Sequence, residues 1–165
     1  MNKLVSIITP CYNSGNFIEE TIKSVQNQTY SNWEMLITDD GSMDNSIVII
    51  EKLQAKDSRI KVFKIQNGGA AVARNNSIKL ANGQYLAFLD SDDLWTSKKL
   101  EMQIEFMNIN KYSLSFGGYE KITEEGQLIE GSTTSALRRV SYKDMITSNK
   151  MGCLTVIYDT NMLGK

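Results

Sequence analysis

Apolar positions along the first ninety residues follow two alternating rhythms. Leu4-Val5-Ser6-Ile7-Ile8-Thr9, Trp33-Glu34-Met35-Leu36-Ile37-Thr38 and Tyr85-Leu86-Ala87-Phe88-Leu89 are short, nearly continuous apolar runs. That pattern predicts strands buried on both faces. Between the first two, Phe17, Ile18, Thr21, Ile22 and Val25 recur at helical spacing, with Glu19 and Glu20 early enough to suit a helix N-terminus. A helix over residues 17–28 follows, entered through the turn Asn13-Ser14-Gly15-Asn16. Asp44 is a good N-cap for a second helix over 45–56. Residues 70–80 form a third, entered from Asn67-Gly68-Gly69 and closed by Asn82-Gly83. Ile60 to Ile65 alternates apolar and basic residues, as a peripheral strand should. Pro10 cannot donate to a central ladder, so the first strand is expected to stop there. Strand and helix repeated with short connections imply an α/β fold, a mostly parallel sheet covered by helices on both faces.

After Trp95 the rhythm changes. Residues 98–109 read as a helix with Leu100, Ile104 and Met107 turned inward. Residues 114–122 and 127–130 suggest a hairpin around Glu124-Glu125-Gly126, and 132–139 a polar loop. Ser141 is placed to cap a short helix through Ile146, and 154–158 reads as one more strand. The whole is expected to be one domain in two parts, residues 1–97 and 98–165. It reads as stopping part-way, shortly after an apolar strand.

Composition narrows the chemistry. The 165 residues are 41% hydrophobic and 22% charged with a net charge of −1, so no electrostatic case exists for nonspecific nucleic-acid binding. Lys98-Lys99 and Arg138-Arg139 are the only small basic patches. The chain has no histidine, which removes Ser-His-Asp and Cys-His nucleophile systems and imidazole acid–base chemistry together. Cys11 and Cys153 are far apart without metal spacing and suit a reduced, cytoplasmic setting. No apolar run approaches transmembrane length.

Ligands of parallel sheets bind at the carboxyl ends of the strands. Three polar loops fall there: Thr9 to Asn13, Asp39 to Asp44, and Asp90 to Asp93. In the last, three carboxylates within four residues follow an apolar strand, an arrangement that suits a hard cation such as Mg²⁺ or Mn²⁺. Taken alone, the same residues also describe a solvated acidic turn ahead of a helix. Thr-Pro-x-Tyr-Asn offers hydroxyls, an amide and an aromatic face to a base and ribose, where a plain strand exit would need only Pro and Asn. An Asp of the 39–40 pair could accept from a uracil imide N–H, whereas Asp44 is better explained as a cap. Gly68-Gly69 could let backbone approach a nucleotide or simply turn the chain. Arg74, a turn into its helix, could reach phosphates, although a lone helical Arg is more often a surface charge. Trp95 reads first as a core residue.

Together these segments resemble the family 2 glycosyltransferases, which have the nucleotide-diphospho-sugar transferase fold called GT-A. The residues that carry the resemblance are Ser6-Ile7-Ile8-Thr9-Pro10-Cys11-Tyr12-Asn13, then Glu34 through Asp44, then Gly68 through Asn75 and on to Asp90-Ser91-Asp92-Asp93. It covers the first hundred residues closely, and Arg138-Arg139-Val140-Ser141-Tyr142 extends it less diagnostically. The resemblance implies transfer of a sugar from a nucleotide-diphospho-sugar, UDP-linked, to an acceptor hydroxyl with inversion. The setting would be bacterial capsule, lipopolysaccharide or other surface polysaccharide. The donor would be bound by Thr9, Pro10, Tyr12, Asn13, Asp40, Arg74, Asp90 and Ser91. Asp92, the last carboxylate of the family's D-x-D, would meet Mn²⁺ or Mg²⁺. Partners would be the donor and a glycan or lipid-linked sugar acceptor, with work at the inner membrane face compatible with a cytoplasmic protein. The family's general base comes from a later acidic motif that has no match before Lys165. Two rivals stand beside this reading. One is a non-catalytic nucleotide-binding or scaffolding domain. The other, a nucleotidyltransferase, is disfavoured because Pro10-Cys11-Tyr12-Asn13-Ser14-Gly15 lacks a basic residue for its phosphate loop.

Overall fold

The computed structural model describes residues 3–137 and 139–165, without the side chain of Tyr142. Arg138, in the less diagnostic stretch above, lies outside the described residues. Strands β1 (Val5–Cys11), β2 (Trp33–Asp39), β3 (Ile60–Lys64), β4 (Tyr85–Phe88), β5 (Leu114–Ser115) and β6 (Ile157–Asp159) form one sheet in the order β3-β2-β1-β4-β6-β5. The first four pair in parallel, while β6 runs antiparallel to both β4 and β5. The helices are α1 (Ile18–Gln26), α2 (Ser46–Gln54), α3 (Ala70–Leu80), α4 (Lys99–Asn110), α5 (Tyr142–Thr147) and α6 (Thr160–Leu163).

Strand periodicity divides the core in two. Val5, Ile7, Trp33, Met35, Ile37, Tyr85 and Ala87 point to the larger apolar layer, which they share with Ile18, Ile22 and Val25 of α1 and Leu100, Ile104 and Met107 of α4. The alternate positions Ile8, Leu36 and Leu86 face the other way, into a small cluster with Ala81. There α3 lies across β1 and β2. It buries only Ala73 and Ser77, four residues apart on one face. A polar seam joins this helix to the sheet. Ser77 Oγ bonds the Leu36 carbonyl and Thr38 Oγ1, and Thr38 Oγ1 also accepts from Asn76 Nδ2.

The structure departs from the sequence reading in three places. β1 runs through Pro10 to Cys11 in register with β2 although it is central. In a parallel strand the N–H and C=O of one residue face the same neighbour. Leu4 and Ile8 face β4, and Cys11 faces the β2 side. Pro10 therefore faces the β4 side, where pairing has ended at Ile8↔Phe88, and its missing N–H costs no ladder bond. The expected hairpin after α4 is reduced to β5 and two isolated bridges, Tyr119↔Thr134 and Ile122↔Leu128. Gly117-Gly118 supplies little side chain to pair there. A 3₁₀ turn, Cys153–Thr155, takes the first residues expected of the last strand. The capping box at Ser141, with Asp144, is as the sequence suggests.

Candidate active site

The three polar loops meet at the carboxyl ends of β1, β2 and β4. The β1 loop is held to the β2 loop by Asn13, whose N–H donates to Ser42 Oγ at 2.9 Å and whose Oδ1 accepts from the Met43 N–H at 2.8 Å. Thr9 and Pro10 are buried, and Tyr12 projects with half of its surface exposed. Asp40 accepts the N–H groups of Gly68 and Gly69, one on each carboxylate oxygen, both at 2.8 Å. Gly69 reaches this geometry with φ of +90°, a backbone that favours glycine. Asp40 thus fixes the entry to α3, from which Arg74 projects. Asp39 takes the Ser42 N–H on Oδ2 and leaves Oδ1 buried without a partner. Asp44 lies one residue ahead of Asn45, the N-cap of α2, and accepts the Ser46 N–H at 2.9 Å and the Gly15 N–H at 2.8 Å.

Arg74 Nη2 meets Asp90 Oδ1 at 2.7 Å, which brings two of the expected donor residues together. The Arg74 Nε is buried and unpartnered, as is Thr9 Oγ1. Ser91 turns inward: its hydroxyl lies 2.7 Å from Ser14 Oγ and its carbonyl accepts from Thr21 Oγ1. Its hydroxyl therefore ties the acidic loop to the turn ahead of α1, and its carbonyl ties it to α1 itself. Asn75 is exposed beyond the ion pair. Asp92 is exposed, and Asp93 is partly buried beside it. Burial, then the charges of Asp92 and Asp90, push the Asp93 carboxyl up to about 6. Cys153 sits within electrostatic reach of Asp90, Arg74 and Asp93, and burial above all keeps its thiol protonated. No group of three or more metal-ligating side chains is assembled among the described residues. An oxygen donor set of one exposed carboxylate with acidic neighbours fits a hard cation that completes its shell from substrate phosphates and water.

The acidic loop itself, through Asp92 and Asp93, forms part of the wall of a cleft of about 1040 Å³, which Trp95, the start of α4, Gly117–Ile122, Thr133–Ala136 and Thr155 continue. Trp95 is a core residue, as the sequence suggests, with Nε1 donating to the Leu154 carbonyl at 2.8 Å. Two cleft residues escaped sequence reasoning, Lys99 and Gln103. A signal was present: a lysine in the first turn of a helix opposes the helix dipole and needs another reason to be there.

Comparison with known proteins gives the family. The profile described as "Glycosyl transferase family 2" matches residues 6–164. The chain belongs to that family. Over 163 residues it is 42% identical to the "Putative teichuronic acid biosynthesis glycosyltransferase TuaG" of Bacillus subtilis (strain 168), covering 98% of this chain and 64% of TuaG. It is 44% identical over 161 residues to the "UDP-Glc:alpha-D-GlcNAc-diphosphoundecaprenol beta-1,3-glucosyltransferase WfgD" of Escherichia coli, covering 97% and 62%. The chain therefore spans somewhat under two thirds of these relatives. Among solved structures, S. aureus TarS 1-349 in complex with UDP superposes with a TM-score of 0.77 at 26% identity, over 96% of this chain and 47% of that one. The fold is GT-A, and the mixed sheet with its antiparallel β6 belongs to it. Among the described residues no helix is long and apolar enough to cross a membrane.

Proposed function

We propose that this chain forms the donor side of an inverting glycosyltransferase site that binds a UDP-sugar and passes the sugar to an acceptor hydroxyl. The observation that carries the reading is the Arg74–Asp90 ion pair, set beside exposed Asp92 where the ends of β1, β2 and β4 converge. Tyr12 offers an aromatic face to the base, and Thr9, Pro10 and Asn13 shape the wall behind it. Asp40 receives the base's imide N–H. Gly68 and Gly69 take one lone pair on each oxygen, and an ionised carboxylate has others to give. Arg74 answers the charge of the diphosphate while Asp90 orients it. Ser91 acts through position, pinning the acidic loop to α1. Asp92, with Asp93 as its neighbour, would hold Mn²⁺ or Mg²⁺, which supplies charge neutralisation at the leaving diphosphate. The acceptor oxygen bonds the anomeric carbon from the face opposite the diphosphate as the carbon–oxygen bond to the diphosphate breaks, and the hydroxyl proton passes to a carboxylate base.

The names of the relatives support a UDP donor and a bacterial surface-polysaccharide setting. WfgD is named for UDP-Glc and a diphosphoundecaprenol acceptor, TuaG for teichuronic acid, and TarS was solved with UDP. With a lipid-linked acceptor, the work would be done at the cytoplasmic face of the membrane. Thermal unfolding against UDP, GDP, CDP and ADP, each with Mn²⁺ and with EDTA, tests the donor site. UDP with Mn²⁺ at about a hundred times its Kd should add about 2.7 kcal/mol. Asp92→Ala should abolish that gain and leave the unliganded melt within about 0.5 kcal/mol. No stabilisation by any of the four nucleotides would refute the reading.

A further inference from the structure

Lys99 and Gln103 stand four residues apart on α4 and both line the cleft walled in part by the acidic loop. Lys99 Nζ is buried without a hydrogen-bond partner, 3.8 Å above the centre of the Trp95 ring. Gln103 Nε2 donates to the Thr155 carbonyl at 2.9 Å and to Ser115 Oγ. A carbonyl only accepts, so that contact fixes which end of the amide is which. Gln103 Oε1 is left buried and unpartnered. One open donor and one open acceptor therefore share a face of α4, without bonding each other, on the wall of a cleft large enough for sugar rings. The backbone at this end of α4 is already engaged: Lys99 N–H donates to the Thr96 carbonyl and Leu100 N–H to Gln28 Oε1. Lys99 and Lys121 are the cationic side chains among the lining residues, and Asp92, Asp93 and Glu120 are the carboxylates against which they act. Burial alone holds the Lys99 ammonium well below its usual range, as expected of a cation that lacks a counterion.

We infer that this cleft is an acceptor subsite for a sugar bearing an oxyanion, with Lys99 as the oxyanion's ligand and Gln103 Oε1 receiving a neighbouring hydroxyl. The inference rests on the glycosyltransferase reading and narrows its acceptor. The four-carbon stem lets the ammonium leave the Trp95 face and reach the cleft, where a carboxylate or phosphate supplies the missing counterion. The oxyanion is either the carboxylate of a uronate or a phosphate attached to the acceptor sugar.

Nuclear magnetic resonance titrations of the whole chain in EDTA with D-glucuronate, inorganic phosphate and D-glucose separate these sources, on the natural chain, Lys99→Met and Lys111→Ala. At least one oxyanion should bind more tightly than glucose. Lys99→Met should weaken it about tenfold or more, the scale of a charge-assisted hydrogen bond, and the exposed-lysine control Lys111→Ala should leave it unchanged. Glucuronate binding identifies a uronate acceptor, and phosphate binding a phosphorylated one. Lys99→Met should also melt higher, because it removes an unpaired buried cation. The proposal is overturned if neither oxyanion binds, if Lys99→Met binds unaltered or melts lower, or if Lys111→Ala loses binding as far as Lys99→Met does. Failure of the donor reading would appear separately, in the nucleotide melts that depend on Asp92.

Discussion

Buried polar groups sit at both ends of β1 and β2, and the two ends treat them differently. At the amino end Glu34 accepts from Ser6 Oγ at 2.7 Å, from the Asn82 N–H at 2.8 Å and from Lys61 Nζ at 2.8 Å, and Ser6 Oγ in turn accepts the Gly83 N–H. Burial opposes the Glu34 charge, yet Lys61, Ser6 and Asn82 together hold its carboxyl below the usual range. At the carboxyl end Thr9 Oγ1, Asp39 Oδ1 and Arg74 Nε lie buried without partners. Trp33 Nε1 is the unpartnered atom at the amino end, and its ring is covered by the Arg59 guanidinium at 3.7 Å. Native interiors satisfy nearly all buried polar groups, so unmet ones gathered in one place need an explanation. Closed networks here hold strands in register, and open ones face the loops proposed to bind the donor.

The comparison is broken most forcefully at Glu34. Glu34→Ala leaves two N–H or O–H donors and a lysine without their acceptor, and urea unfolding should show a loss of about 3 kcal/mol. A smaller effect tests the neighbouring pair at the foot of β3. Arg59 meets Asp57 at 2.8 Å, and hydrogen bonding to Arg59 lowers the Asp57 carboxyl to about 2. A depressed carboxylate contributes stability that is full above its unfolded value near 4 and is lost as pH falls through about 2. Asp57→Asn should therefore cost about 1–2 kcal/mol at pH 7, discounted for the half-exposed arginine, and progressively less below pH 4. The smallest effect belongs to the site end. Gly69→Ala forces a Cβ into φ of +90° beside open space, and should cost about 1 kcal/mol while loosening the two N–H bonds to Asp40.

Much of this was legible in the chain. Continuous apolar runs place β1, β2 and β4, and helical spacing places α1 and α4 with their inward residues. The convergence of the loops that bear Asp40 and Asp90 at one end of the sheet follows from that order, whereas Arg74 entered through the family resemblance, since a lone helical Arg is more often a surface charge. Pairing register was not legible, and it is register that lets Pro10 lie inside a central strand. Nor could spacing tell Ser91, turned to Ser14, from its exposed neighbour Asp92: a turn reverses side-chain direction within one residue. Lys99 stood out in the chain only by opposing the helix dipole and Gln103 not at all: their meaning depends on what they fail to touch, which the packing of α4 against Trp95 and Thr155 reveals.

The most direct test melts three proteins side by side, the natural chain, Glu34→Gln and Arg74→Ala, each with and without UDP and Mn²⁺. Glu34→Gln should melt lower than the natural chain and keep the full UDP-dependent rise. Arg74→Ala, which loses only a partly exposed ion pair, should melt within about 1 kcal/mol of the natural chain and lose most of the rise. An Arg74→Ala protein that responds fully to UDP, or a Glu34→Gln protein that no longer responds, would contradict the division of labour between the two ends of the sheet.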